Sequence, residues 1–224
     1  YIYTFLTSLI LAVIFYLIKN DKNKKTTIYE KILTILLGYF FLPLIIAIPF
    51  YFSIYNLTFI NSYFESISGF TSTGFTIFDN INHIDQSLIL WRSSSQWAGG
   101  LYFLFSIILL IDIFDNSFKK SLTNFSSFNK AETLKQSLKI FLLYTLTTLG
   151  IFIIFNIFNV RTFNSLNLAM TIVSSGGFLP VNNLSNILIN NSQIIIMSLL
   201  MLTSFFSIFL IYNLAFTKNH NLNF

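Results

Sequence analysis

Apolar runs of about twenty residues or more recur along the chain, at roughly 2–18, 32–58, 88–114, 138–159 and 191–217. About 20 apolar residues in a helix cross the ~30 Å hydrocarbon layer of a bilayer, and five such runs leave too little polar sequence to coat a soluble core. Hydrophobic residues make up 54% of the chain and charged residues 9%, against about 25% charged in soluble proteins. The expected fold class is therefore an all-α integral membrane protein.

Charge placement sets the expected topology. The net charge is +5. Lys19, Lys22, Lys24, Lys25 and Lys31 fall in the first connection. Lys119, Lys120, Lys130, Lys135 and Lys139 fall in the third, and Lys218 follows the last run. The second and fourth connections hold only Arg92 and Arg161, near helix ends. Such alternation places the lysine-rich loops in the cytoplasm, with anionic lipid headgroups as their partner and no call for nucleic acid. The chain opens at Tyr1 in an apolar run, read as a span and not a signal peptide, because no basic region precedes it. With no cysteine and only His83 and His220, thiolate metal sites and disulfides are excluded and no metal-ligand spacing is present. An enzyme would need a nucleophile with a base, a His cluster or an acid pair within the membrane, and none is written here.

Between the second and third runs stands "SGFTSTGFTIFDNI" (68–81), rich in hydroxyl residues and glycine, on the expected outer side. The chain repeats this stretch. Residues 56–80, shifted by 103, overlay 159–183, with identities at Asn56/Asn159, Asn61/Asn164, Ser62/Ser165, Ser72/Ser175, Gly74/Gly177, Phe75/Phe178 and Asn80/Asn183. Each copy has a short helix-compatible stretch (61–72 and 164–175) opening with an Asn-Ser expected as N-cap, then an extended glycine-bearing piece. Twelve helical residues cover about 18 Å, enough to dip halfway into a bilayer. Irregular backbone at that depth requires burial by protein or contact with water, so each copy reads as helix, pore loop, helix. Carbonyls of the glycine segments can replace a cation's hydration shell. Gly74 and Gly177 are expected to supply left-handed backbone freedom, Thr73 and Ser175 to add hydroxyl oxygens, and the negative ends of the half-helices to favour a cation.

The stretch "YFESISGFTSTGFTIFDNI", then "LILWRSSSQWAGGLYFL" (88–104) and "SSGGFLPVNN" (174–183), resembles the Trk/Ktr/HKT superfamily of potassium transporters. Trp91, Arg92, Gln96, Trp97, Gly99 and Gly100 match its W-R-x-x-x-Q-W-x-G-G pattern. The resemblance implies potassium uptake through a pore ringed by four helix–loop–helix repeats, of which this chain writes the first two and a preceding helix. The implied filter is Ser72, Thr73, Gly74 and Phe75 with Ser175, Gly176, Gly177 and Phe178. Potassium, the transported ion and no cofactor, is expected on the carbonyls of Thr71, Ser72, Thr73, Gly74, Ser174, Ser175, Gly176 and Gly177. The resemblance also implies a homodimer in a bacterial inner membrane and a cytosolic regulatory ring of TrkA or KtrA type, met by basic residues such as Lys119 and Lys120. The alternative is a non-conducting scaffold or half-pore subunit.

The expected organisation is a span at 1–18, a loop at 19–31, a first repeat at 32–114, a loop at 115–137, a second repeat at 138–217 and a tail at 218–224. Trp91, Arg92 and Trp97 are expected as interfacial anchors, and Gly99 and Gly100 as sites of close helix packing. Glu65, Asp79 and Asp85 are expected outside, where they would attract cations. Asp112 and Asp115 need no special role, and Asn156 and Asn159 are expected as helix-end polar groups.

Overall fold

The computed structural model describes residues 1–17, 27–110 and 130–205; Lys19, Lys22, Lys24, Lys25, Asp112, Asp115, Lys119, Lys120, Lys218 and His220 lie outside the described residues. In chain order the helices are α1 (Ile2–Leu17), α2 (Ile28–Ser53), α3 (Phe59–Phe70), α4 (Gln86–Leu110), α5 (Lys130–Ile157), α6 (Thr162–Val173) and α7 (Asn191–Phe205). Among the described residues α2, α4 and the Ser137–Ile157 part of α5 are long and apolar enough to cross a membrane. α3 packs between α2 and α4, and α6 packs against α5, α4 and α7.

Two helices start earlier than the apolar runs imply. α2 begins at Ile28, inside the expected loop, because Thr27 and Glu30 form a capping box: Glu30 N–H donates to Thr27 Oγ1 at 3.3 Å, and Thr27 N–H to Glu30 Oε2 at 2.9 Å. A cap is polar and so extends a helix past its apolar stretch. α5 likewise begins at Lys130 instead of 138. At the other end of α2 the expected apolar run to 58 breaks after Ser53.

The chemistry of inside and outside is inverted relative to a soluble protein. Leu33, Leu36, Phe40 and Phe41 of α2 are exposed, whereas Ser62, Glu65, Ser66, Arg92, Ser95, Gln96, Ser165 and Asn167 are buried. With apolar lipid as solvent, polar groups gain by meeting one another in the interior. Pro43 and Pro49 stand inside α2, where each removes a backbone donor and opens the preceding turn. The carbonyl three residues before each proline is taken by a neighbouring side chain: Tyr63 Oη donates to Phe40 O at 3.2 Å, and Trp91 Nε1 to Ile46 O at 3.0 Å.

Candidate functional site

The two half-helices, α3 and α6, are each twelve residues long and begin 103 residues apart, at Phe59 and Thr162. Both start two residues before the expected position. Asn61–Ser62 and Asn164–Ser165 are therefore not the caps. Thr58 caps α3 by accepting from Asn61 N–H at 3.3 Å, and Arg161 stands before α6 without a side-chain cap bond. The serines instead return bonds to the preceding turn, Ser62 Oγ to Thr58 O at 3.1 Å and Ser165 Oγ to Val160 O at 3.0 Å.

Both half-helices end in one Schellman motif. Thr73 N–H donates to Ser68 O and Ser72 N–H to Gly69 O, both at 2.9 Å. In the second copy Gly176 N–H donates to Thr171 O at 2.9 Å and Ser175 N–H to Ile172 O at 3.1 Å. The left-handed residue of each motif is a serine, Ser72 at φ 55° and Ser175 at φ 53°, a conformation that costs a non-glycine residue about 1–2 kcal/mol. Asn56 (φ 62°) and Asn159 (φ 59°) repeat the same conformation where each span turns into its half-helix.

The expectation for glycine is half corrected. Gly74 is left-handed at φ 79°, and Gly177 is not. What Gly177 supplies is the absence of a side chain, since the two glycines meet backbone to backbone. A Cβ on Gly74 would stand 2.7 Å from Gly177 Cα, and one on Gly177 would stand 3.0 Å from Gly74 Cα. The structure thus brings together the two glycine segments that the repeat predicts.

Each segment is tied back to its own half-helix. Ser68 Oγ donates to Phe75 O at 2.6 Å, and Thr171 Oγ1 to Phe178 O at 2.9 Å. Residues 68 and 171 are also in register, but they are serine and threonine, so a search for identities passes over them. The Thr73 hydroxyl, expected as an ion ligand, pairs with Thr71 Oγ1 at 2.7 Å. Among the described residues, none of the carbonyl oxygens of Thr71, Ser72, Thr73, Gly74, Ser174, Ser175, Gly176 and Gly177 accepts a hydrogen bond, while the N–H groups of all eight are bonded into the protein. A trans peptide holds each C=O opposite the N–H of the next residue, so the bonded N–H groups of Ser72, Thr73, Gly74, Ser175, Gly176, Gly177 and Phe178 turn the carbonyls of Thr71, Ser72, Thr73, Ser174, Ser175, Gly176 and Gly177 away from the groups that accept those bonds.

α4 stands between the two segments and explains the W-R-x-x-x-Q-W-x-G-G pattern residue by residue. Ser95 and Gly99, one turn apart, lie against the end of α3: a Cβ on Gly69 would meet Ser95 Oγ, and one on Gly99 would collide with Phe70 O. Arg92, Gln96 and Gly100, spaced by four, follow the second segment. Gly100 lies against Ser174, where an added Cβ would be 3.1 Å from Ser174 Cα. Trp97 Nε1 donates to Thr148 Oγ1 of α5 at 2.9 Å, and Tyr144 Oη donates to Trp97 O at 3.0 Å. Trp91 and Trp97 are thus helix-to-helix ties.

Arg92 and Glu65 depart furthest from expectation. Arg92 is 1% exposed and Glu65 0%, so neither is an interfacial anchor nor an outer cation lure. Arg92 Nε donates to Glu65 Oε1 at 2.8 Å. Glu65 Oε2 accepts from Ile77 N–H at 3.0 Å, and both its oxygens accept from Thr76 Oγ1. The guanidinium also donates to Thr76 Oγ1 at 3.1 Å and Leu179 O at 3.4 Å, and its Cζ lies 4.2 Å from the Phe178 ring centroid. One buried arginine therefore touches both glycine-bearing segments. Asp79 and Asp85 remain exposed. Asn182 completes an outer bridge, its Oδ1 accepting from Ile81 N–H at 2.7 Å and its Nδ2 donating to Asn80 Oδ1 at 2.8 Å.

Spans, half-helices and returning segments, written twice, define a multi-pass all-α integral membrane protein built from repeats. The chain is a relative of the Trk-type potassium uptake proteins. It is 27% identical over 179 residues to an uncharacterized cation transporter of Methanocaldococcus jannaschii, covering 76% of this chain and 36% of that one. It is 25% identical over 142 residues to the Trk system potassium uptake protein TrkH of Escherichia coli, covering 59% and 29%. The crystal structure of the potassium transporter TrkH from Vibrio parahaemolyticus superposes with a TM-score of 0.77 at 18% identity, over 96% of this chain and 44% of that chain. The chain spans about a third of the length of these two curated relatives. No protein-family model matches.

Proposed function

We propose that this chain forms part of a potassium-conducting pore, in which the ion sheds water onto the carbonyls of residues 71–74 and 174–177. The observation that carries this reading is the set of eight carbonyl oxygens free of hydrogen bonds among the described residues, on two segments that meet at Gly74 and Gly177. Neutral carbonyls suit a monovalent cation, which must be held weakly enough to leave. The negative ends of α3 and α6 add to the attraction. The names of the relatives, potassium uptake proteins, point the same way.

The lysine-rich connections face the cytoplasm of a bacterial inner membrane in this reading, by the positive-inside rule. A cysteine probe at position 82 (Asn82→Cys) is then labelled only from outside, and one at 130 (Lys130→Cys) only from inside. A TrkA-type regulatory ring contacts Lys119 and Lys120, the chain works as a homodimer, and substitution of both lysines weakens ring association most at low salt. The deciding experiment for the ion is flux of potassium and sodium through the transport-competent assembly of this chain. Wild type favours potassium, and Gly74→Ser relaxes that preference. Equal ratios in wild type and variant remove Gly74 from the filter.

A further inference from the structure

Gln96 belongs to the first repeat by sequence, yet its side chain is spent on the second. It is fully buried. Oriented to satisfy both ends, its amide oxygen accepts from Phe178 N–H at 2.8 Å and Gly177 N–H at 3.0 Å, and its Nε2 donates to Thr171 Oγ1 at 3.3 Å. Thr171 Oγ1 donates its own hydrogen bond to Phe178 O at 2.9 Å. A Cβ on Gly176 would run into the same amide, so the segment lies directly on it.

Thr73 N–H and its counterpart Gly176 N–H both turn to their own half-helix, to Ser68 O and Thr171 O at 2.9 Å. The arrangement differs at the next residue, where Gly74 N–H also turns to Ser68 O, at 3.3 Å, within its own repeat. The second segment's Gly177 and Phe178 N–H groups have Gln96 alone. Because each trans peptide opposes its C=O to its N–H, the two bonds to Gln96 fix the direction of the Gly176 and Gly177 carbonyls, away from α4. Without them either peptide plane can rotate and withdraw an oxygen from the ion path.

We infer that Gln96 is a positioning residue for ion specificity: a cross-repeat clamp that orients the Gly176 and Gly177 carbonyls and so sets discrimination between potassium and sodium. This rests on the filter reading above. Two readouts separate the two ideas. The clamp itself is read by hydrogen–deuterium exchange of the Gly177 and Phe178 amides, by solid-state NMR of the bilayer-embedded protein. Specificity is read by the potassium-to-sodium flux ratio.

Gln96→Leu is expected to speed exchange at both amides by roughly tenfold, the equivalent of about one buried hydrogen bond, and to lower the flux ratio. Gln96→Glu, whose carboxyl still accepts both N–H groups, retains slow exchange and most of the ratio. Gln96→Met, closer in shape to glutamine, makes the same comparison if the leucine variant does not reach the membrane. Exchange unchanged in Gln96→Leu or Gln96→Met overturns the clamp. Faster exchange with an unchanged ratio overturns its role in specificity. A wild type without potassium preference sinks the filter reading, and the exchange result still decides whether the clamp exists.

Discussion

In the first repeat the chain beyond the glycine is held by charge: the Glu65 carboxylate gathers Thr76, Ile77 and Arg92. In the second, the neutral amide of Gln96, which comes from outside the repeat, holds the N–H groups of Gly177 and Phe178, at the glycine and not beyond it. The two segments share the left-handed serine, at φ 55° and 53°, and the hydroxyl on the phenylalanine carbonyl, and they differ at the glycine, which is left-handed only at Gly74. Phe75 is 68% exposed, whereas Phe178 is 2% exposed under the Arg92 guanidinium. The turn into each segment is thus written locally, by the Schellman motif, while its bracing draws on α4. That helix serves both repeats at once, through Ser95 and Gly99 on one face and Arg92, Gln96 and Gly100 on another.

The largest effect is expected at Arg92. Arg92→Met strands a buried carboxylate and destabilises by about 3–5 kcal/mol, read as a loss of thermal stability in detergent. Adding Glu65→Gln restores much of it, because the stranded charge is then gone. If the single and double variants are equally unstable, the cation's packing on Phe178 matters more than its pairing with Glu65.

Next come the two glycines, which separate the repeats by conformation. Gly74→Ala meets both the Gly177 backbone and a left-handed φ, the latter alone costing about 1–2 kcal/mol. Gly177→Ala meets only the close approach, with 3.0 Å to Gly74 Cα, and is the milder change. The order of their melting temperatures checks this. The smallest effects belong to what the repeats share. Ser68→Ala and Thr171→Val each remove the hydroxyl bond to the phenylalanine carbonyl, worth about 1 kcal/mol, and Thr171→Val also removes the contact with Gln96, so its loss of stability is expected to be the larger. A markedly larger loss at Thr171 marks its second bond, to Gln96.

Three of the five expected spans, the repeat and the two glycine segments are legible in the sequence, because apolar run length and a 103-residue shift are one-dimensional signals; α1 and the described part of α7 are shorter than a membrane crossing. The Glu65–Arg92 pair is not legible there. The two residues stand 27 apart on separate helices, and charges near helix ends read as surface groups until the packing of α3 on α4 shows that they face each other. The half-helix starts slipped by two residues because Thr58 competes with Asn61 as a cap, and a single sequence does not decide between two good caps. Ser68 and Thr171 escaped because the repeat preserves a hydroxyl there and not a residue type. Gly177 reads as conformational in the sequence because a glycine kept for close approach looks there like one kept for φ.

Whether the two segments together present their free carbonyls to a monovalent cation is read by anomalous diffraction from the transport-competent assembly crystallised in rubidium. Rubidium peaks are expected bounded by the carbonyls of residues 71–74 and 174–177, between the two half-helix ends, and weaker in Gly74→Ser. Rubidium absent from those carbonyls, or bound only at an exposed carboxylate such as Asp79 or Asp85, would contradict the filter reading.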